Sequence, residues 1–135
     1  VHLAPDVIRM AMSSAGPNRI TLVTEDMSAT GQPDGDYILG SLPVKVVDGR
    51  ARLLAADGSL GAIAGSTLTM GRAVEFVTSV VGIPLGQVAV MAATTPAKLH
   101  GLNEVGVIEE GHWADLCLTD AKGHLVRVIH RGEAV

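Results

Sequence analysis

Aromatic residues make up only 2% of this 135-residue chain: one Trp, one Tyr and one Phe. That scarcity argues against an aromatic-rich sandwich. The apolar 47% must pack as Val, Leu, Ile, Ala and Met, which together with 16 Gly suits an α/β protein with close helix–sheet packing. Cysteine is nearly absent too. Cys117 stands alone, which excludes an internal disulfide, and its place between Leu116 and Leu118 predicts a small buried hydrophobe in a reduced, cytoplasmic setting. Positive charge is sparse and scattered: ten Lys/Arg against fourteen Asp/Glu leave a net charge of −4, with no basic patch and hence no nucleic-acid partner. No basic stretch followed by an apolar run marks a signal peptide at the start. Residues 76–97 carry no charge and are long enough to span a bilayer. Gly82, Pro84 and Gly86 break that run, and Thr78, Ser79, Gln87, Thr94 and Thr95 punctuate it. Two core helices joined by a short turn are expected there, and no membrane.

What is present reads as a partial α/β rhythm in a chain of ordinary single-domain length. Pro5 and Asp6 open a helix, with Val7 and Ala11, and Ile8, Met12 and Ala15, at helical spacing, and Gly16 and Pro17 stop it. Residues 20–24, ITLVT, form an apolar β-branched run expected to be a strand covered on both faces. Asp48 and Gly49 lie between two strand-like arms in VKVVDGRARL, a two-residue hairpin signal, and Asp57-Gly58 marks another turn. Ser66 is placed as the N-cap of a helix whose face carries Met70, Val74, Val77 and Val81 and which ends at Gly82. Pro84 starts a further helix through Met91 and Ala92, and a short turn around Pro96 to His100 stops at Gly101. The last thirty residues hold short strands separated by Gly-containing turns, with a domain boundary near Gly106. The chain starts at Val1 almost inside a helix signal, and so reads as a piece of something longer.

Several segments carry a resemblance: VHLAPDVIRMA, LVTEDMSATGQPDGDYILG, DGSLGAIAGSTLTM, MAATTPAKLHGL, GVIEEGHWADLCLTD and VIHRGEAV. In this order they resemble the C-terminal portion of the N-acetylglucosamine-6-phosphate deacetylase family, within the amidohydrolase superfamily. The G-x-I-x-x-G-x-x-A-D-L form specifies only the superfamily; AGSTLTM and the acid-bearing VTEDMSATG are more specific. The resemblance implies an α/β fold, the C-terminal part of a (β/α)8 amidohydrolase barrel with strands of a small β-sandwich domain. Residues 1–105 would supply the last barrel strand, a hairpin insert and the closing helices, and residues 106–135 the C-terminal strands of the sandwich. It further implies a hydrolase that removes the acetyl group from N-acetylglucosamine 6-phosphate. Such an enzyme uses a divalent metal, zinc or iron, whose ligands lie on earlier strands outside this chain, and is expected to be a cytoplasmic homodimer.

Glu25 and Asp26 are the candidate catalytic residues. Read alone, two acids after a strand are a solvated turn. The resemblance places at Glu25 the family's aspartate, which activates water and then protonates the leaving amine, a task suited to a tuned carboxylate. This chain departs there, because Glu25 is one methylene longer and Asp26 follows where the family has a small residue. Either Glu25 works from an adjusted backbone or Asp26 takes the role after a one-residue shift; alternation along a strand disfavours the second. His2 matches a histidine that contacts the sugar phosphate, and Ile63, Ala64 and Gly65 match a loop that touches substrate through its backbone. Otherwise these are a surface residue and an ordinary loop. His100, His112, His124 and His130 lack metal-ligand spacing and are read as structural or solvent-facing. Two other readings stand beside the deacetylase: a non-catalytic structural or interaction fragment of the same fold, and an amidohydrolase acting on another amide.

Overall fold

The computed structural model describes residues 2–135 and is an α/β structure with two antiparallel sheets. It falls into two compact units: one takes the chain up to Val23 and from Met70 onward, the other is Thr24–Thr69.

The Thr24–Thr69 unit is a four-stranded meander. Strands β1 (Gly35–Leu39), β2 (Leu42–Val47), β3 (Arg50–Leu54) and β4 (Leu60–Ile63) pair in chain order, all antiparallel. The β2–β3 hairpin forms at Asp48-Gly49 as the sequence predicts, with Val47 opposite Arg50 and left-handed φ values of 52° and 65° at the two turn residues. That geometry matches the twist of the flanking strands. Asp34 accepts hydrogen bonds from both turn N–H groups, and the Thr67 hydroxyl donates to the Gly49 carbonyl at 2.6 Å. Alternation sends Val44, Val46 and Ala51 inward, where they meet Met27, Ala29 and Ala64, with Tyr37 and Leu53 at the margin. At Asp57-Gly58, the Ser59 N–H and hydroxyl both donate to the Asp57 carboxylate, which holds it below the ordinary carboxylate range.

The other unit holds the helices and a three-stranded antiparallel sheet. Helix α1 (Pro5–Ala15) leads into a 3-10 turn (Pro17–Arg19); α2 (Met70–Ser79), α3 (Leu85–Ala89) and α4 (Thr95–Leu99) come next, then β5 (Leu116–Thr119), β6 (Leu125–His130) and β7 (Glu133–Ala134). Its core is Met12, Val77, Val81, Ile83, Val88 and Met91, flanked by Ile8, Ile20, Leu22 and Val74. Of the two apolar rows on α1, the one with Ile8 and Met12 packs inward and Val7 stays exposed. Two glycines set how closely the C-terminal segment approaches the helices. A Cβ on Gly106 would sit 2.6 Å from the Ala97 Cβ and 3.0 Å from the Ala93 carbonyl, and one on Gly123 would meet the Thr78 hydroxyl at 3.2 Å. The Thr94 hydroxyl donates to the Gly106 carbonyl at 2.7 Å.

Four expectations change. Residues 20–24 are not a strand: Ile20 is extended, with φ −122° and ψ 133°, and the Leu22 N–H donates to the Met91 carbonyl, but no ladder forms among the described residues. A strand is defined by its neighbours, and β-branched residues alone cannot supply them. Ser66 does not cap α2, which begins four residues later at Met70; its hydroxyl accepts the Leu68 N–H instead. The expected turn at 96–100 is helical, because a π turn (Val90–Thr94) joins α3 to α4. Pro96 has no N–H to offer the regular ladder, and the Thr95 N–H reaches back five residues to the Val90 carbonyl. Cys117 is exposed rather than buried, on a sheet whose side chains are largely exposed.

Gly106 has φ +88° in addition to its close contacts, so Gly106→Ala is expected to lower stability by about 2–4 kcal/mol through left-handed strain and overpacking. Gly58 has a similar φ of +82°, but a Cβ there would meet nothing within 4 Å, so Gly58→Ala isolates the strain alone. That substitution is expected to cost about 1–2 kcal/mol. Urea unfolding of the two variants side by side checks the difference.

Candidate active site

The acid-bearing segment is shaped by its backbone. Glu25 adopts a left-handed φ of 54°, one of three non-glycine residues among those described to do so. For a side chain without a local hydrogen-bonding habit this conformation costs about 1–2 kcal/mol. Immediately after it, Asp26 forms an isolated parallel bridge with Ser66. The Ser66 N–H donates to the Glu25 carbonyl at 3.1 Å, and the Met27 N–H donates to the Ser66 carbonyl at 2.9 Å. The chain then turns, with the Thr30 N–H on the Met27 carbonyl at 2.9 Å, while Met27 and Ala29 enter the core of the unit.

Gly65 completes the arrangement. Its φ is +69°, and a Cβ there would lie 3.5 Å from the Met27 Cβ and 3.7 Å from the Glu25 carbonyl. Ala64 is buried and donates its N–H to the Ala51 carbonyl, and Ile63 ends β4 with its side chain exposed. Two candidate groups, the acids at 25 and 26 and the loop of Ile63, Ala64 and Gly65, are therefore adjacent within one unit. Both carboxylates are solvent-exposed. The expectation that strand alternation turns Asp26 away from Glu25 has no basis here, because the left-handed residue interrupts any strand at that point. His2 belongs to the other unit, where it precedes α1 and is exposed.

Ser66 is the residue whose part the sequence hides. Its spacing before an apolar helix face suggests a cap, while its actual role is main-chain pairing with the acid-bearing segment. No local pattern signals a bridge between segments so far apart in the chain.

The remaining histidines take structural contacts or solvent. His124 lies between two carboxylates, with Nδ1 2.7 Å from Asp120 and Nε2 3.2 Å from Glu75. The hydrogen bond and charge of Asp120, and then Glu75, raise its pKa above the ordinary histidine value, and the same hydrogen bond lowers that of Asp120. His130 Nδ1 meets Asp115 at 3.0 Å. His100 is exposed, and His112 buries Nδ1 without a hydrogen-bond partner among the described residues. Among the described residues no group of three or more His, Cys, Asp or Glu side chains could hold a metal ion, so the residues present do not by themselves fit a metal centre. No helix among them is long and apolar enough to cross a membrane.

No family model matches the chain. Individual proteins do. N-acetylglucosamine-6-phosphate deacetylase of Vibrio furnissii is 33% identical over 135 residues, which is 99% of this chain and 32% of that protein. N-acetylgalactosamine-6-phosphate deacetylase of Escherichia coli is 29% identical, over 98% of this chain and 34% of that protein. Among solved structures, a mutant N-acetyl-D-glucosamine-6-phosphate deacetylase of Mycobacterium smegmatis, in complex with N-acetyl-D-glucosamine-6-phosphate, superposes with a TM-score of 0.85. It is 36% identical, over 99% of this chain and 35% of that one. The chain thus spans about a third of the length of the curated relatives it matches, and it matches them as a C-terminal portion.

This geometry makes two outcomes measurable. Glu25→Gly removes the left-handed strain while adding backbone freedom, so it is expected to change stability by less than about 1 kcal/mol. Glu25→Val, β-branched at a positive φ, is expected to destabilise by about 2 kcal/mol; denaturant midpoints separate the two. For His124 the raised folded pKa means its contribution is full below the ordinary value of 6.5 and is lost as pH rises through the folded value. Asp120, lowered, contributes above 3.8 and loses this as pH falls. The Tm advantage of wild type over His124→Gln is therefore expected to be widest from about pH 4 to 6.5 and to shrink above it.

Proposed function

We propose that this chain is part of an N-acetylglucosamine-6-phosphate deacetylase of the amidohydrolase superfamily. In this reading residues 20–24, which form no ladder with the described residues of this chain, become the final strand of a (β/α)8 barrel only beside barrel strands outside it, the meander is an insert, and residues 106–135 are strands of a small β-sandwich. The observation that carries it is the bridge at Asp26 and Ser66, which places the VTEDMSATG acids beside the IAGS loop. The extent of the likeness supports it, since 99% of the chain aligns to such enzymes in both sequence and fold. The relatives include deacetylases of both glucosamine and galactosamine derivatives, which fits an N-acetylated amino-sugar phosphate as substrate. A cytoplasmic homodimer is the proposed setting, with His2 as a substrate contact.

Glu25 is the proposed base. Its carboxylate takes a proton from water, the water oxygen adds to the acetyl carbonyl carbon, and the carbon–nitrogen bond breaks. The same carboxyl returns the proton to the leaving nitrogen, so acetate and the free amino sugar phosphate result, and the carboxylate is regenerated. The loop of Ile63, Ala64 and Gly65 is the proposed backbone contact to the sugar, with Gly65 supplying the left-handed φ of +69° that the loop takes beside Glu25. A divalent metal, zinc or iron, is the proposed cofactor of the whole enzyme, with ligands supplied outside this chain.

The second reading, a non-catalytic piece of the fold, draws on one departure: Glu25 where the family has aspartate. Substitution in the enzyme that contains this chain decides between them, with acetate release from N-acetylglucosamine 6-phosphate as the assay. Glu25→Gln is expected to lower kcat by about 10²–10⁴-fold with KM little changed, because the amide keeps the shape but cannot take the proton. Asp26→Asn is expected to cost far less, and Glu25→Asp to preserve or raise turnover. Loss of turnover with Asp26→Asn alone would transfer the role to Asp26. Indifference to all three would favour the non-catalytic piece.

A further inference from the structure

The Ser66 carbonyl receives two donors. One is the Met27 N–H at 2.9 Å, which closes the bridge beside Asp26. The other is the Thr30 hydroxyl at 3.2 Å, contributed from the far side of the turn. Thr30 also closes that turn with its own N–H on the Met27 carbonyl. Its main chain and side chain thus act on the two ends of a single link: one grips Met27, the other grips the carbonyl to which Met27 is bonded. Ser66 has no slack to give, since its N–H is on the Glu25 carbonyl and its hydroxyl accepts the Leu68 N–H at 2.9 Å.

We propose that Thr30 is a positioning residue for the catalytic carboxylate, its hydroxyl locking the Ser66 carbonyl so that the left-handed turn at Glu25 keeps one geometry. This rests on the deacetylase reading of Glu25. The two acids are exposed, so the point from which their side chains reach out is set by the backbone. The anchor beneath them is firm, with Met27 7% and Ala29 1% exposed. Within the bridge, Thr30 adds a side-chain hydrogen bond to the Ser66 carbonyl. A displacement of about 1 Å at a reacting group can cost on the order of 10²-fold in rate, so a single clamp of this kind has leverage on turnover well beyond its share of stability.

Thr30→Val keeps the side-chain shape and deletes the hydroxyl, while Thr30→Ser keeps the hydroxyl. Hydrogen exchange at the Met27 amide is read first, on protein in which the fold is verified by its melting transition. Exchange is expected to rise about tenfold in Thr30→Val, the equivalent of one neutral hydrogen bond, and to stay at the wild-type rate in Thr30→Ser. In the enzyme that contains this chain, Thr30→Val is expected to lower kcat about tenfold or more with KM within about twofold of wild type, and Thr30→Ser to restore it. Unchanged exchange and unchanged kcat in Thr30→Val would overturn the proposal, as would a kcat loss that serine does not rescue or a rise in KM alone. Exchange that responds as expected while Glu25→Gln leaves turnover intact would keep the clamp and reject Glu25 as its object.

Discussion

Ser66 commits its N–H, its carbonyl and its hydroxyl, and three of the resulting bonds run to the distant segment from Glu25 to Thr30. The magnitudes show why this matters. A left-handed glutamate costs about 1–2 kcal/mol. Two or three hydrogen bonds at about 0.5–1.5 kcal/mol each, with Met27 buried at about 1.5–3 kcal/mol, exceed that comfortably. The conformation of Glu25 is therefore imposed by its surroundings. Strained residues of this kind persist only where the neighbouring structure over-determines them.

Legibility in the sequence tracks the range of the interaction. The hairpin at Asp48-Gly49 is local: two residues able to take positive φ between alternating arms suffice to specify it, and the structure agrees in register. Helix α1 is likewise written in Pro5, Asp6 and the terminating Gly16. The β-branched residues at 20–24 predict a strand, yet strand formation needs a partner, and the main-chain bonds here are a local one from Ile20 to Pro17 and one from Leu22 to Met91, with no ladder. Cys117 departs from expectation for the same reason, since alternation shows which residues share a face of a sheet but not whether anything covers that face. Of the candidate site, the acids and the Gly65 loop are visible through their motifs. Their junction through Ser66 is not, because main-chain bridges leave no side-chain signature.

Glycine carries two meanings that composition cannot separate. Gly58 marks a turn in open space, whereas Gly106 and Gly123 are contact points against helices, where a Cβ would meet other atoms at 2.6 and 3.2 Å. By its sequence context alone, Gly106 is a boundary mark. In the structure it fastens the C-terminal segment to the helical run at Ala93 and Ala97, and the Thr94 hydroxyl bonds its carbonyl. Gly123 does the same against α2, beside the Asp120, His124 and Glu75 cluster, so a close backbone contact and an exposed ion pair reinforce each other at one place.

Aspartate tolerates the left-handed region better than glutamate, because its short carboxylate can bond the nearby backbone. The aspartate that the resemblance places at position 25 is thus the easier residue for this conformation, and Glu25 keeps the conformation in spite of its own preference. A backbone that holds its geometry against the less favourable side chain is held on its C-terminal side by the Ser66 bridge, which bonds the Glu25 carbonyl and the Met27 N–H, the two peptide groups flanking Asp26. Adjustment of the backbone is therefore the less available way for a longer side chain to place its carboxylate. The extra methylene has to be absorbed by side-chain torsions, and an exposed side chain has the freedom to do so. Restriction of that freedom by a bound substrate, rather than by the free protein, is the step on which glutamate in place of aspartate would have to depend.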